Sequence, residues 1–94
     1  MSIKVNIFYP HLLQVTNNQK VVEVNGTTVG QCLNDLIKRF PDIGKFIFVE
    51  QGKLLNFINI LVNGESVLTY SPDPLTKPVK DGDMLDIALM IAGG

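Results

Sequence analysis

The chain finishes on Gly93-Gly94, and these two residues are its strongest candidates for chemistry. Glycine loses the most backbone freedom on ordering, so a terminal pair adds nothing to the stability of a fold. It supplies instead an α-carboxylate with no β-carbon beside it. Such an end can thread a narrow channel in another protein and meet a nucleophile there. Read this way, the tail is a substrate offered to an enzyme, and Gly94 is expected to be the true end of the chain.

The remaining side chains offer little to compete with it. One cysteine allows no internal disulfide and no multi-cysteine metal or iron–sulfur site, and one histidine closes off zinc sites built on paired histidines. His11 follows Pro10 at the end of an expected strand and reads as an exposed loop residue without a partner. Cys32 lies three residues after Val29, on or beside an apolar stripe, and reads as core, since free cysteine is often buried. Asp81-Gly82-Asp83 lacks the further oxygen ligands of a calcium loop and reads as a tight turn with Gly82 at positive φ. No metal and no bound cofactor are expected. Catalysis by this chain's own side chains is improbable.

Composition narrows the field further. Ninety-four residues, 46% of them hydrophobic and 18% charged, suit a single domain spanning 1–94 with one core. A net charge of −1 with eight scattered basic residues argues against nucleic acid. No apolar run approaches the ~20 residues that span a bilayer, and Met1-Ser2-Ile3-Lys4-Val5 alternates instead of forming a signal-peptide core. A cytoplasmic protein with no membrane contact is the expectation.

The elements that must carry the tail follow from hydrophobic period. Ile3, Val5 and Ile7 alternate with Lys4 and Asn6 as a half-buried strand. Asn17-Asn18 supplies a turn, and Val21-Val22-Glu23-Val24 answers, so these segments read as a hairpin. Thr28 and Gln31 form a capping box ahead of Val29, Leu33, Leu36, Ile37 and Phe40, a helical stripe that Pro41 ends. Residues 42–56 fit a short helix or an edge strand. From Phe57 to Val62 the chain alternates again, Asn63-Gly64 marks a second hairpin, and Ser66-Val67-Leu68 is its return strand. The prolines within 71–80 exclude a central strand there. Leu85, Ile87, Leu89 and Ile91 then alternate directly into the tail.

The order ββ-α-ββ-β gives an α+β fold: a mixed sheet of four to five strands with one main helix across one face. Its first and last strands are both apolar enough to be central and are expected side by side and parallel, with the chain's end at the sheet edge. That is a β-grasp, or ubiquitin-like, architecture. If Leu85, Ile87 and Leu89 face the helix, then Met84, Asp86, Ala88 and Met90 face outward, as do Phe57, Asn59 and Leu61. A partly apolar outer surface containing Leu61, Ala88 and Met90 is thus expected to dock a partner, with Ile91 and Ala92 leading into the tail.

Several segments carry a resemblance to a known family. Asn59-Ile60-Leu61-Val62-Asn63-Gly64-Glu65, Lys77-Pro78-Val79-Lys80-Asp81-Gly82-Asp83 and Ile91-Ala92-Gly93-Gly94 resemble the hairpin, the approach to the last strand and the tail of the sulfur-carrier branch of ubiquitin-like proteins. Thr27-Thr28-Val29-Gly30 resembles the family's helix start. The branch includes the small subunit of molybdopterin synthase, the thiamine-pathway carrier and the cysteine-biosynthetic carrier. The likeness covers nearly the whole chain. It departs at Leu89, where the family often has proline, and at the stretch 68–76, which is longer than in the thiamine carriers. Residues 44–60 look closer to the cysteine-biosynthetic type.

The resemblance implies a mechanism. An ionised carboxylate with a pKa near ~3.5 resists nucleophiles. In the family, an E1-like enzyme uses ATP and Mg²⁺ to adenylate the carboxylate, here that of Gly94, and a sulfur donor enzyme then displaces AMP to leave a thiocarboxylate. The tail delivers that sulfur to an acceptor enzyme, of the molybdopterin synthase large-subunit type or the pyridoxal-phosphate-dependent cysteine synthase type. Gly93 and Gly94 keep the acyl carbon unhindered. Residues 90–94, extended, would reach roughly 17 Å. Two rival readings remain: a modifier joined to target lysines through Gly94, and a non-covalent β-grasp module whose tail is dispensable.

Overall fold

In the computed structural model, residues 2–8, 10–47, 58–67 and 73–89 are described, Pro10, His11 and Leu89 in backbone alone. The alternation at the start of the chain becomes β1 (Ser2–Ile7), with Ile3, Val5 and Ile7 buried and Ser2 and Lys4 exposed. β2 (Val21–Asn25) pairs antiparallel with it, Val5 opposite Val22. The connection is not the simple hairpin turn expected. Pro10–Val15 forms a short helix, α1, so His11 lies in a helix and not in a loop. Proline suits the first helical position, where its missing N–H has no intrahelical partner in any case. Asn17 and Asn18, at φ 56° and 64°, then make the turn into β2.

Thr28 caps α2 (Val29–Arg39), its Oγ1 accepting from the Gln31 N–H at 3.2 Å. The return half of the capping box is displaced by one residue. Gln31 Oε1 accepts from the backbone N–H and the hydroxyl of Thr27, each at 2.8 Å. Val29, Cys32, Leu33 and Leu36 form the buried face of the helix, with Ile37 and Phe40 partly buried beside it. Beyond Pro41 the chain continues as a 3₁₀ turn (Pro41–Ile43) and a short helix, α3 (Gly44–Ile47), which settles the described part of 42–56 in favour of helix.

β3 (Ile58–Val62) turns through Asn63-Gly64 into β4 (Glu65–Ser66). Both turn residues have positive φ, 51° and 88°, the type I′ geometry whose twist suits a two-residue hairpin. A 3₁₀ turn at Pro74–Thr76 precedes β5 (Met84–Leu89). The sheet order is β2-β1-β5-β3-β4, and β1 and β5 are parallel as expected. β5 is the middle strand of five, the central place expected from its apolar sequence, while the expected exit of the chain's end at the sheet edge falls outside the described residues. Pairing with β3 covers its second side, a long-range contact that no local pattern reveals. The core lies between the α2 face and Ile3, Val5, Val24, Ile58, Ile60, Leu85 and Ile87. This is the β-grasp arrangement.

Candidate functional site

Gly93, Gly94 and the adjoining Met90, Ile91 and Ala92 lie outside the described residues, as does Phe57. What the structure defines is the strand from which those five last residues depart. Leu85 and Ile87 are fully buried beneath α2, so Met84, Asp86 and Ala88 take the opposite face by the two-residue period of a strand. Leu61 pairs with Asp86, and Asn59 with Ala88, which puts Leu61 and Ala88 on the outer face together.

That face is more polar than expected around those two residues. Asn6 donates to Asp86 at 2.7 Å, and Ser66 donates to Asn59 at 2.8 Å, so two hydrogen-bonded pairs flank Leu61 and Ala88. The large apolar groups on the face are Phe8, 62% exposed, Val21 at 49% and Met84 at 38%. None of the three is in the docking set that the sequence pattern suggests, and Phe8 is the most exposed of them. The Phe8 N–H donates to the Ile87 carbonyl at 3.0 Å, continuing the β1–β5 ladder one step past Ile7 and Ile87. That step sets Phe8 beside Ala88, on the outer face and next to the departing end of β5. The signal was available, since extending the Ile3-Val5-Ile7 alternation by one residue points an aromatic outward.

The opposite end of β5 is tied down. Asp83 is only 8% exposed, and its carboxylate accepts from the Lys80 N–H at 2.9 Å and from Asn63 Nδ2 at 3.0 Å. Those two bonds, the Lys80 amide first, hold the Asp83 carboxyl below the usual carboxylate range. Asn63 Oδ1 in turn accepts from the Met84 N–H at 3.0 Å. The Asp81-Gly82-Asp83 turn forms as read, with Gly82 at φ 91°. Lys80 contributes its backbone to this turn, with its residue exposed.

Cys32 is buried, as expected of a core thiol. Burial, and secondarily the Asp35 carboxylate, push its pKa up to about 11, so at neutral pH it is a protonated, shielded thiol. Asp35 itself is held below its ordinary value, chiefly by the Asn25 N–H at 2.9 Å and then by Arg39. Among the described residues, no three of His, Cys, Asp and Glu come together as a metal site. No helix there is long and apolar enough to cross a membrane.

The fold, with β5 central and running into residues 90–94 of the sequence, defines a ubiquitin-like β-grasp protein. Residues 7–94 match the model of the ThiS family, and the chain belongs to that family. It is 36% identical to the sulfur carrier protein CysO of Mycobacterium tuberculosis over 90 residues, 94% of this chain and 90% of that protein. A chain of the Amycolatopsis orientalis BexX/CysO complex superposes with a TM-score of 0.84 at 36% identity, over 98% of this chain and 99% of that one. SAMP1 from Haloferax volcanii superposes at 0.79 with 28% identity, over the full length of both. Family membership places the chain among sulfur carriers, proteins that are worked on and are not themselves catalysts.

Proposed function

We propose that this protein carries sulfur as a thiocarboxylate on Gly94. The observation that supports it most is the family match running through residue 94, joined to a central β5 whose start is fixed and whose continuation is the Gly-Gly tail. A partner resembling E1 would dock on the outer face around Phe8, Leu61 and Ala88 and take in residues 90–94. It would use ATP and Mg²⁺ to form an acyl-adenylate at Gly94, releasing pyrophosphate. A sulfur donor enzyme would then attack the acyl carbon and expel AMP. The sulfur would pass to an acceptor enzyme in the cytoplasm. The likeness to CysO favours an acceptor of the cysteine synthase type over one that builds molybdopterin or thiamine.

Gly94→Ala adds a β-carbon beside the acyl carbon and leaves the packed domain untouched. We expect ATP–pyrophosphate exchange with the activating enzyme to fall steeply while the denaturation midpoint stays put. Unchanged thiocarboxylate yield in that variant removes Gly94 from the mechanism. The likeness to SAMP1, a small archaeal modifier, supports a second use of the same activated end: isopeptide bonds to lysines. Higher-mass conjugates in lysate that vanish on deleting Gly93-Gly94 would establish that use. Full activity after the same deletion would point to the non-covalent module.

A further inference from the structure

Asn63 sits at positive φ in the β3–β4 turn, one residue past the last β3–β5 pair, Val62 with Leu85, where a strand would continue the ladder through backbone alone. Its side chain takes over. Asn63 Oδ1 accepts from the Met84 N–H at 3.0 Å while its own backbone N–H donates to the Met84 carbonyl at 2.9 Å. Its Nδ2 donates to Asp83, whose other oxygen accepts from the Lys80 N–H. From the other side, Lys4 N–H donates to the Asp83 carbonyl and Gly82 N–H to the Ser2 carbonyl. The first residues of β5 are therefore fixed against both neighbours by bonds whose polarity admits one arrangement.

We infer that Asn63 and Asp83 are positioning residues that fix the register of β5, and through it the length of tail free to reach a partner's active site. The inference rests on the carrier reading above. A slip of β5 by one residue would expose Leu85 and Ile87, and a slip by two would lengthen or shorten the free tail by roughly 7 Å. Misplacing reacting atoms by even about 1 Å can lower a rate by about a hundredfold.

The polarity of the chain supplies the test. Asn63→Asp sets two carboxylates face to face, and Asp83→Asn, whichever way its amide turns, leaves one donor facing another donor. The double exchange, Asn63→Asp with Asp83→Asn, restores every bond: Lys80 N–H to the new amide oxygen, the new amide nitrogen to the new carboxylate, and Met84 N–H to that carboxylate. Amide hydrogen exchange and ATP–pyrophosphate exchange with the host's activating enzyme are measured on the full chain for all four proteins. Each single variant is expected to speed exchange at the Leu85 and Ile87 amides at least tenfold relative to the α2 amides of Leu33 and Leu36. Adenylation kcat should fall at least tenfold with KM within about twofold, and the double variant should recover both. Exchange rising equally in β5 and α2, a loss confined to KM, or a double variant no better than the singles overturns the inference. A wild-type chain that is never adenylated overturns the carrier reading instead, and the exchange pattern still decides whether the pair holds the register.

Discussion

The two ends of β5 are built in opposite ways. Where the strand begins, Ser2, Lys4, Asn63, Lys80, Asp81 and Asp83 converge in a mesh of hydrogen bonds, including Ser2 N–H to Asp81 Oδ1 at 2.7 Å. Where it ends, Ala88 is flanked by Phe8, an aromatic with most of its surface in solvent. Phe8 shares the outer face with Val21 and Met84, the other large apolar groups left exposed there, and it belongs to the docking face proposed above. The contrast suits the proposed division of labour, in which one end holds the strand still and the other would present residues 90–94 to a partner.

The largest test of this contrast lies between the ends. Ile87→Ala removes a fully buried side chain from beneath α2 and should destabilise the fold by about 2–5 kcal/mol in urea titration. Ala88→Ser, one residue on and facing outward, should stay within about 0.5 kcal/mol. Equal effects would mean that the two faces of β5 are not distinct. At the tied end, Asn63→Ala leaves the Met84 N–H and an Asp83 oxygen without their partner, and about 1–3 kcal/mol should be lost.

Titration gives a smaller effect with a defined sign. The folded Asp83 carboxyl has a lowered pKa, so the native state binds that proton less readily than the unfolded chain. Its contribution is complete above the ordinary value of 3.8 and is lost as pH falls through the lowered folded value. Asp83→Asn should flatten that acid limb of a stability–pH curve; an unchanged limb would assign it to other carboxylates. The smallest change in stability is expected at the open end. Phe8→Ser should leave the unfolding free energy within about 0.5 kcal/mol of wild type yet weaken binding to the activating enzyme. A variant that binds as wild type would remove Phe8 from the docking face.

Much of this was legible in the sequence because the signals are local. The period of two in Ile3-Val5-Ile7 and Leu85-Ile87, the Thr28 cap and the Asn63-Gly64 turn each need only a few neighbouring residues to specify them. α1 was not legible, since six residues from Pro10 to Val15 are too few for a helical period to show. The apolar run of β5 marked it as central, but its pairing with β3 was hidden because Ile58–Val62 crosses to it from far along the chain. Asn63 and Asp83 were each visible within a motif, but their bond spans twenty residues and follows only from the fold. Phe8 fell between the two cases: its parity was readable, while its nearness to Ala88 required the parallel ladder.

The central claim is that the terminal carbonyl of Gly94 is the reactive part of the protein and the β-grasp body positions it. Intact-protein mass spectrometry of the chain isolated from its native host, grown with ample sulfur, tests this most directly. A population heavier by the exchange of one oxygen for one sulfur, lost when Gly94 is changed to alanine, is the predicted result. A single unmodified mass under every sulfur supply, or a sulfur adduct that survives the Gly94 change, would contradict it.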